Sequence, residues 1–188
     1  MRTNARKTIR LPHHDYSSPD DYFVTICTKD RECLLGNIIN DQMVLNGYGL
    51  MVEKWIEKIP DKFSNSLIDE YIIMPNHVHI IISIINQSSP NTVGADPCVC
   101  PSMDINGKRH TGKGGHTGPP LPKMIQWFKT TSTNEYFRIN KLYKINFNGP
   151  LWQRNYYERI IRNEYELNKT REYIQNNPYN WQNDRNYR

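Results

Sequence analysis

Two histidines, His77 and His79, stand inside the apolar run Tyr71-Ile72-Ile73-Met74-Pro75-Asn76-His77-Val78-His79-Ile80-Ile81-Ile82. The β-branched content and length of this run predict a buried strand entered through a Pro-Asn break. Side chains alternate along a strand, so both imidazoles leave one face about 7 Å apart, while Val78 and Ile80 go to the other. Neutral imidazole is a common ligand of divalent ions, and the pair therefore suits a metal. Two ligands do not make a site, and a polar pair on a half-buried face is the plainer account of the spacing. A third ligand has to come from elsewhere.

The end of the chain offers one. Asn163 with Glu166 three residues on forms an Asn-x-x-Glu cap, which starts a last helix running to Pro178. Tyr173 and Asn177, four residues apart, fall on one face of it, one turn from each other. Pro178 disfavours the helical conformation for Asn177, leaving its amide oxygen free at the helix end to reach a ligand. Gln175 and Asn176 are the rival amides, and they leave the helix at different angles from Tyr173.

The elements that must position these groups can be read in order. Tyr22 to Cys27 is aromatic and β-branched and predicts the first strand. Leu34-Leu35 and Met43-Val44-Leu45, separated by Asn40-Asp41, suggest a small hairpin. Val52, Trp55, Ile56 and Ile59 recur at helical spacing, and Pro60 is expected to stop that helix. Leu67 to Ile73 is a further run, either continuous with the histidine strand or parted from it by a tight turn at Pro75. Leu121, Met124, Ile125 and Phe128 mark a second amphipathic helix ending near Tyr136 to Arg138, whose polar side either faces solvent or lies along a phosphate backbone.

Leu151 to Arg162 reads as a strand-like segment dense in rings and guanidinium groups. Trp152, Arg154, Tyr156, Arg159 and Arg162 are its candidates for holding unpaired bases or a hairpin end, although Trp152 and a tyrosine serve a core equally well.

With 188 residues the chain suits one α/β core with an insertion. Residues 1 to 21 form a basic arm without periodicity, in which Arg6, Lys7 and Arg10 are candidate phosphate contacts; a frayed terminus is the alternative. Residues 86 to 120 are rich in Ser, Pro, Gly and Asn and lack aromatics, the pattern of an inserted loop. Cys98, Cys100, His110 and His116 within it have poor spacing for a zinc finger. A net charge of +5 and a pI near 9.0 fit a polyanionic partner. The four cysteines include no Cys-x-x-Cys pair, and no stretch approaches the roughly 18 apolar residues of a membrane span, so a cytoplasmic protein is expected.

Three motifs in order resemble a known family. Met74-Pro75-Asn76-His77-Val78-His79, then Leu151-Trp152-Gln153-Arg154 with Tyr156-Tyr157-Glu158 and Ile161-Arg162-Asn163-Glu164, then Tyr173-Ile174-Gln175-Asn176-Asn177-Pro178 with Trp181, are similar to the REP-associated tyrosine transposases. These are single-tyrosine relatives of the IS200-like transposases with a histidine-hydrophobe-histidine (HUH) motif. The resemblance spans roughly Asp21 to Asp184 and leaves out the insertion, which departs from the family pattern.

The resemblance implies a ferredoxin-like or RRM-like α/β (α+β) fold, an antiparallel sheet with helices on one face. It implies His77, His79 and Asn177 as metal ligands for Mg²⁺ or Mn²⁺, Tyr173 as nucleophile, and no nucleotide cofactor. The implied partner is single-stranded DNA with palindromic hairpins, cut and rejoined by a monomer or homodimer. Tyr156 and Tyr157 remain rival nucleophiles. Two other classes stay open: a catalytically silent hairpin-binding module on the same fold, and a replication initiator or relaxase. Those of the latter class are generally longer, and this chain has no phosphate-binding Gly-x-x-x-x-Gly-Lys-Ser/Thr loop.

Overall fold

The computed structural model describes residues 19–85, 121–146 and 149–187. Most of the expected basic arm, with Arg6, Lys7 and Arg10, and the expected insertion, with Cys98, Cys100, His110 and His116, lie outside the described residues.

The chain runs through β1 (Asp21–Cys27), the hairpin β2 (Gly36–Ile39) and β3 (Gln42–Leu45), α1 (Gly47–Lys62), β4 (Ser66–Met74), β5 (His77–Ile84), α2 (Leu121–Tyr143), β6 (Tyr157–Ile161) and α3 (Glu164–Gln175). The four long strands make one antiparallel sheet in the order β4-β5-β1-β6. Leaving the β2–β3 hairpin aside, the order of elements is βαββαβ, the ferredoxin-like arrangement expected.

Alternation decides what each face carries. Tyr22, Val24 and Ile26 of β1 and Val78, Ile80 and Ile82 of β5 point one way and are fully buried. Over them lie Val52, Ile56 and Ile59 of α1 and Leu121, Met124, Ile125 and Phe128 of α2, which form the main core. The opposite face carries Phe23, Ile72, Ile81 and Ile161, covered by Leu167 and Ile174 of α3. This second core is small, and a bidentate ion pair from Arg171 to Asp69 adds to the attachment of α3 to β4. Two helices thus cover one face of the sheet, and the last crosses the other.

Four boundaries differ from expectation, one being the end of α3, which closes at Gln175 rather than running to Pro178. Pro60 does not stop α1 but sits inside its last turn, where the missing N–H costs one hydrogen bond in a helix already anchored by its preceding turns. α2 continues past Arg138 to Tyr143 because its buried stripe goes on through Tyr136 and Asn140, the latter accepting a hydrogen bond from the Tyr48 hydroxyl. A polar residue at a core position hid that continuation.

Of the expected strand-like segment, residues 157–161 form a strand on β1, and Trp152 adds an isolated bridge to Thr28 with the Gln153 N–H donating to the Cys27 carbonyl at 2.9 Å. Ahead of the strand, the Lys129 ammonium donates to the carbonyls of Gln153 (2.6 Å) and Arg154 (2.9 Å), so the preceding stretch is held as a loop against α2. Among the described residues, no helix is long and apolar enough to cross a membrane.

Candidate active site

β4 and β5 join at Pro75-Asn76, so the histidines open the second strand of a tight hairpin. The β1–β5 register sets Cys27 opposite His77 and Thr25 opposite His79, which places all four side chains on the α3 face. His77 is 0% and His79 2% exposed. Their Nε2 atoms stand 3.0 Å apart, converging on one point.

The outer nitrogens fix how the rings are protonated. His77 Nδ1 lies 2.9 Å from Asn76 Oδ1. The Asn76 amide nitrogen donates to the carbonyls of Arg31 (3.2 Å) and Asn186 (2.8 Å), so its oxygen must be the atom facing the ring. An amide oxygen only accepts. His77 therefore carries its proton on Nδ1 and presents a bare Nε2.

His79 Nδ1 meets the Thr25 hydroxyl at 2.9 Å, a group that can donate or accept. With His77 Nε2 bare, the short contact between the two Nε2 atoms is favourable when His79 donates it. Thr25 then donates to His79 Nδ1. The opposite tautomer of His79 is available whenever an ion takes both Nε2 lone pairs, with Thr25 Oγ1 turning acceptor.

Burial, the largest influence, lowers the pKa of both imidazoles. His77 falls to about 4, with the Asp184 carboxylate acting in the opposite direction, and His79 falls well below its ordinary value, with His77 as a further cause. Both rings are neutral at neutral pH, the state a metal requires.

α3 supplies the other half. Its N-cap Asn163 accepts from the Glu166 N–H (2.9 Å), as the Asn-x-x-Glu spacing predicts. The helix carries Tyr173 across the sheet so that its hydroxyl lies 3.3 Å from His79 Nε2. The phenol ring packs edge-on against His79 and Phe23, yet Tyr173 remains 45% exposed. Its hydroxyl also donates to Asp184 Oδ2 at 3.3 Å. Burial and then the Asp184 charge raise the pKa of this phenol, while the Asn177 side chain, a hydrogen-bond donor to it, works the other way. Asn177 itself is 2% exposed, and its Oδ1 is buried with no hydrogen-bond partner.

Sequence reasoning missed Asp184. It follows the short turn Trp181–Asn183, whose tryptophan lies over His77 at 6.0 Å. Ligand atoms of His77, His79 and Asp184 all lie within 4.8 Å of one another. A lone acid in the polar tail carries no spacing signal, and only the fold brings it here. Thr25 was equally silent, whereas Asn76 stood visible in the Pro-Asn break.

The donor set fits a divalent ion. It offers two neutral imidazoles whose Nε2 atoms converge, and the Asn177 amide oxygen on the same side of the sheet as α3 is buried without a hydrogen-bond partner.

The other sequence candidates are not brought to this cluster as a group. Trp152 corrects the expectation of a base-stacking ring: it is 3% exposed, packs on Phe128 and donates from Nε1 to Ser132 Oγ at 2.8 Å, so it belongs to the core. Arg154 and Tyr156 line a groove of about 740 Å³ between α2 and the 150–156 loop, together with Gln126 and Lys129. Arg159 is nearer the site, its guanidinium 5.9 Å from the Phe23 ring and donating to Thr170 Oγ1 at 3.0 Å. Arg162 is exposed just before α3, and Tyr157, the rival nucleophile, is stacked under Arg185 at 5.1 Å.

The chain is 40% identical over 182 residues to an uncharacterized protein of Haemophilus influenzae, an alignment that covers 97% of this chain and 93% of that one. The two belong to one family. No family model matches this chain, so the family is known through that relative. Among solved structures, this chain's fold is similar to that of a REP-associated tyrosine transposase bound to a REP hairpin, with a TM-score of 0.53. At 17% identity over 92% of this chain and 74% of that one, the likeness establishes the shared fold.

Proposed function

We propose that this protein is a single-tyrosine HUH transposase of the IS200-like kind, one domain that nicks and rejoins single-stranded DNA beside palindromic hairpins. The observation that carries the proposal is the placement of the Tyr173 hydroxyl 3.3 Å from His79 Nε2, beside a converging histidine pair and an amide oxygen with no other partner. The fold of a hairpin-bound transposase supports it.

His77, His79 and Asn177 would hold Mg²⁺ or Mn²⁺, which supplies Lewis-acid polarisation of the scissile phosphate. The chain's own groups do the rest. Tyr173 Oη forms the bond to phosphorus as the bond to the 3′ oxygen breaks, leaving a 5′-phosphotyrosine and a free 3′-hydroxyl, which takes a proton as the phenol loses one. The energy of the broken ester is retained, so attack by a second 3′-hydroxyl reverses the step without a nucleotide cofactor. Because the phenol is poorly ionised here, its orientation matters, and His79 Nε2 and Asp184 Oδ2, each 3.3 Å away, hold the hydroxyl. Arg154, Tyr156, Arg159 and Arg162, with Arg6, Lys7 and Arg10 of the arm, are the proposed DNA contacts.

The test uses a hairpin-bearing oligonucleotide, Mn²⁺ and a denaturing gel. Wild type forms a covalent adduct, and Tyr173→Phe forms none while keeping hairpin affinity within about threefold, since one exposed hydroxyl adds little to binding. Undiminished adducts in Tyr173→Phe reject the nucleophile. Hairpin binding by wild type with no adduct at all would leave only the silent binding module.

A further inference from the structure

The turn that follows α3 is tied to the site at several points. Asn76 Nδ2, already fixed beside His77, donates to the Asn186 carbonyl at 2.8 Å, and Arg31 Nη1 donates to the Arg185 carbonyl at 3.1 Å. Trp181 is 9% exposed and lies over the His77 ring. Between these anchors Asp184 Oδ1 accepts the Asn186 N–H at 2.6 Å, while Oδ2 takes the Tyr173 hydroxyl. The carboxylate is partly buried, and among the described residues no Lys or Arg lies within ion-pair distance of it. What it faces instead is the histidine pair.

We propose that Asp184 is a ligand of the same ion, the anionic oxygen donor that makes this a site for a hard divalent cation. The inference rests on the reading of His77 and His79 as metal ligands. Two imidazoles and an amide form an uncharged, nitrogen-rich set, which by itself favours ions late in the first transition row, such as Zn²⁺ and Ni²⁺. Mg²⁺ and Mn²⁺ bind chiefly through oxygen, and a carboxylate is their usual protein ligand. Asp184 is the one acidic side chain within ligand distance of both histidines among the described residues. Its backbone is held by the turn rather than by the ion, so the carboxylate is positioned before any metal arrives. The Tyr173 hydroxyl and the ion then share one carboxylate, which couples loading of the site to release of the nucleophile from Asp184.

The experiment measures ion binding to the full chain without DNA, by electron paramagnetic resonance of free Mn²⁺ and by competition with Zn²⁺. The variants are Asp184→Asn, His77→Ala and Tyr173→Phe. Asparagine keeps an oxygen for the Asn186 N–H, and thermal melting in chelator confirms that each variant is folded. Asp184→Asn is expected to weaken Mn²⁺ at least tenfold and Zn²⁺ less than threefold, whereas Tyr173→Phe, which frees the carboxylate from the phenol, is expected to bind Mn²⁺ more tightly than wild type. Wild-type Mn²⁺ affinity in Asp184→Asn, with binding lost in His77→Ala, overturns the role of Asp184 and leaves the two-histidine reading standing. Binding unaffected in His77→Ala, or no binding by wild type, overturns both.

Discussion

Asn177 offers a quantitative test of whether this cluster is built for an ion. Its Oδ1 is buried and unpartnered, and a buried acceptor without a hydrogen bond costs about 1–3 kcal/mol. Leucine has the same branching and heavy-atom count with no acceptor to desolvate. Asn177→Leu should therefore raise the stability of the metal-free protein by about 1 kcal/mol, after part of the gain is offset by the amide's lost contact with Tyr173. Mn²⁺ should reverse the order. An ion that binds only the folded state at 100 times its dissociation constant adds about 2.7 kcal/mol, and the variant, lacking one ligand, gains much less. Urea unfolding in chelator and in Mn²⁺ gives four midpoints, and the two pairs should cross. A variant less stable than wild type in chelator would show that the orphan oxygen carries no cost. Equal Mn²⁺ stabilisation of both proteins would remove Asn177 from the ligand set.

The buried imidazoles predict acid sensitivity. A histidine held neutral in the fold at a pKa of about 4, as His77 is, contributes stability that is complete above the unfolded value near 6.5 and is lost as the pH falls towards 4. Each such group gives a slope of about 1.4 kcal/mol per pH unit, so urea midpoints should fall across this window and fall less steeply in His77→Asn. An unchanged slope in that variant would contradict the assignment. Trp152→Phe should cost about 2 kcal/mol by removing the Nε1–H bond to Ser132 and leaving a void, while hairpin affinity measured by fluorescence anisotropy stays at the wild-type level.

Much of this molecule was legible in its sequence, for physical reasons that particular residues show. The strand period alone put His77 and His79 on one face, whereas the Pro75-Asn76 break left a continuous strand and a tight turn both open, and the structure takes the turn. Asn163 and Glu166 announced α3, and the four-residue spacing placed Tyr173 beside Asn177. Trp152 misled because its neighbours Arg154 and Tyr156 suggested a stacking surface, whereas its partner Ser132 comes from α2, twenty residues away. Asp184 was invisible because nothing local distinguishes it; its meaning comes from a tail folded back onto the β4–β5 turn.

Thr25 carries one consequence beyond the ring it touches. Because its hydroxyl can give or take the hydrogen bond from His79 Nδ1, the imidazole can move its hydrogen from one nitrogen to the other without changing its charge. Both rings are already neutral, so cation uptake near neutrality exchanges a tautomer and expels no hydronium into the buffer. A β-branched threonine, chosen as any strand would choose it, thus lets the cluster fill and empty with no titration of its histidines.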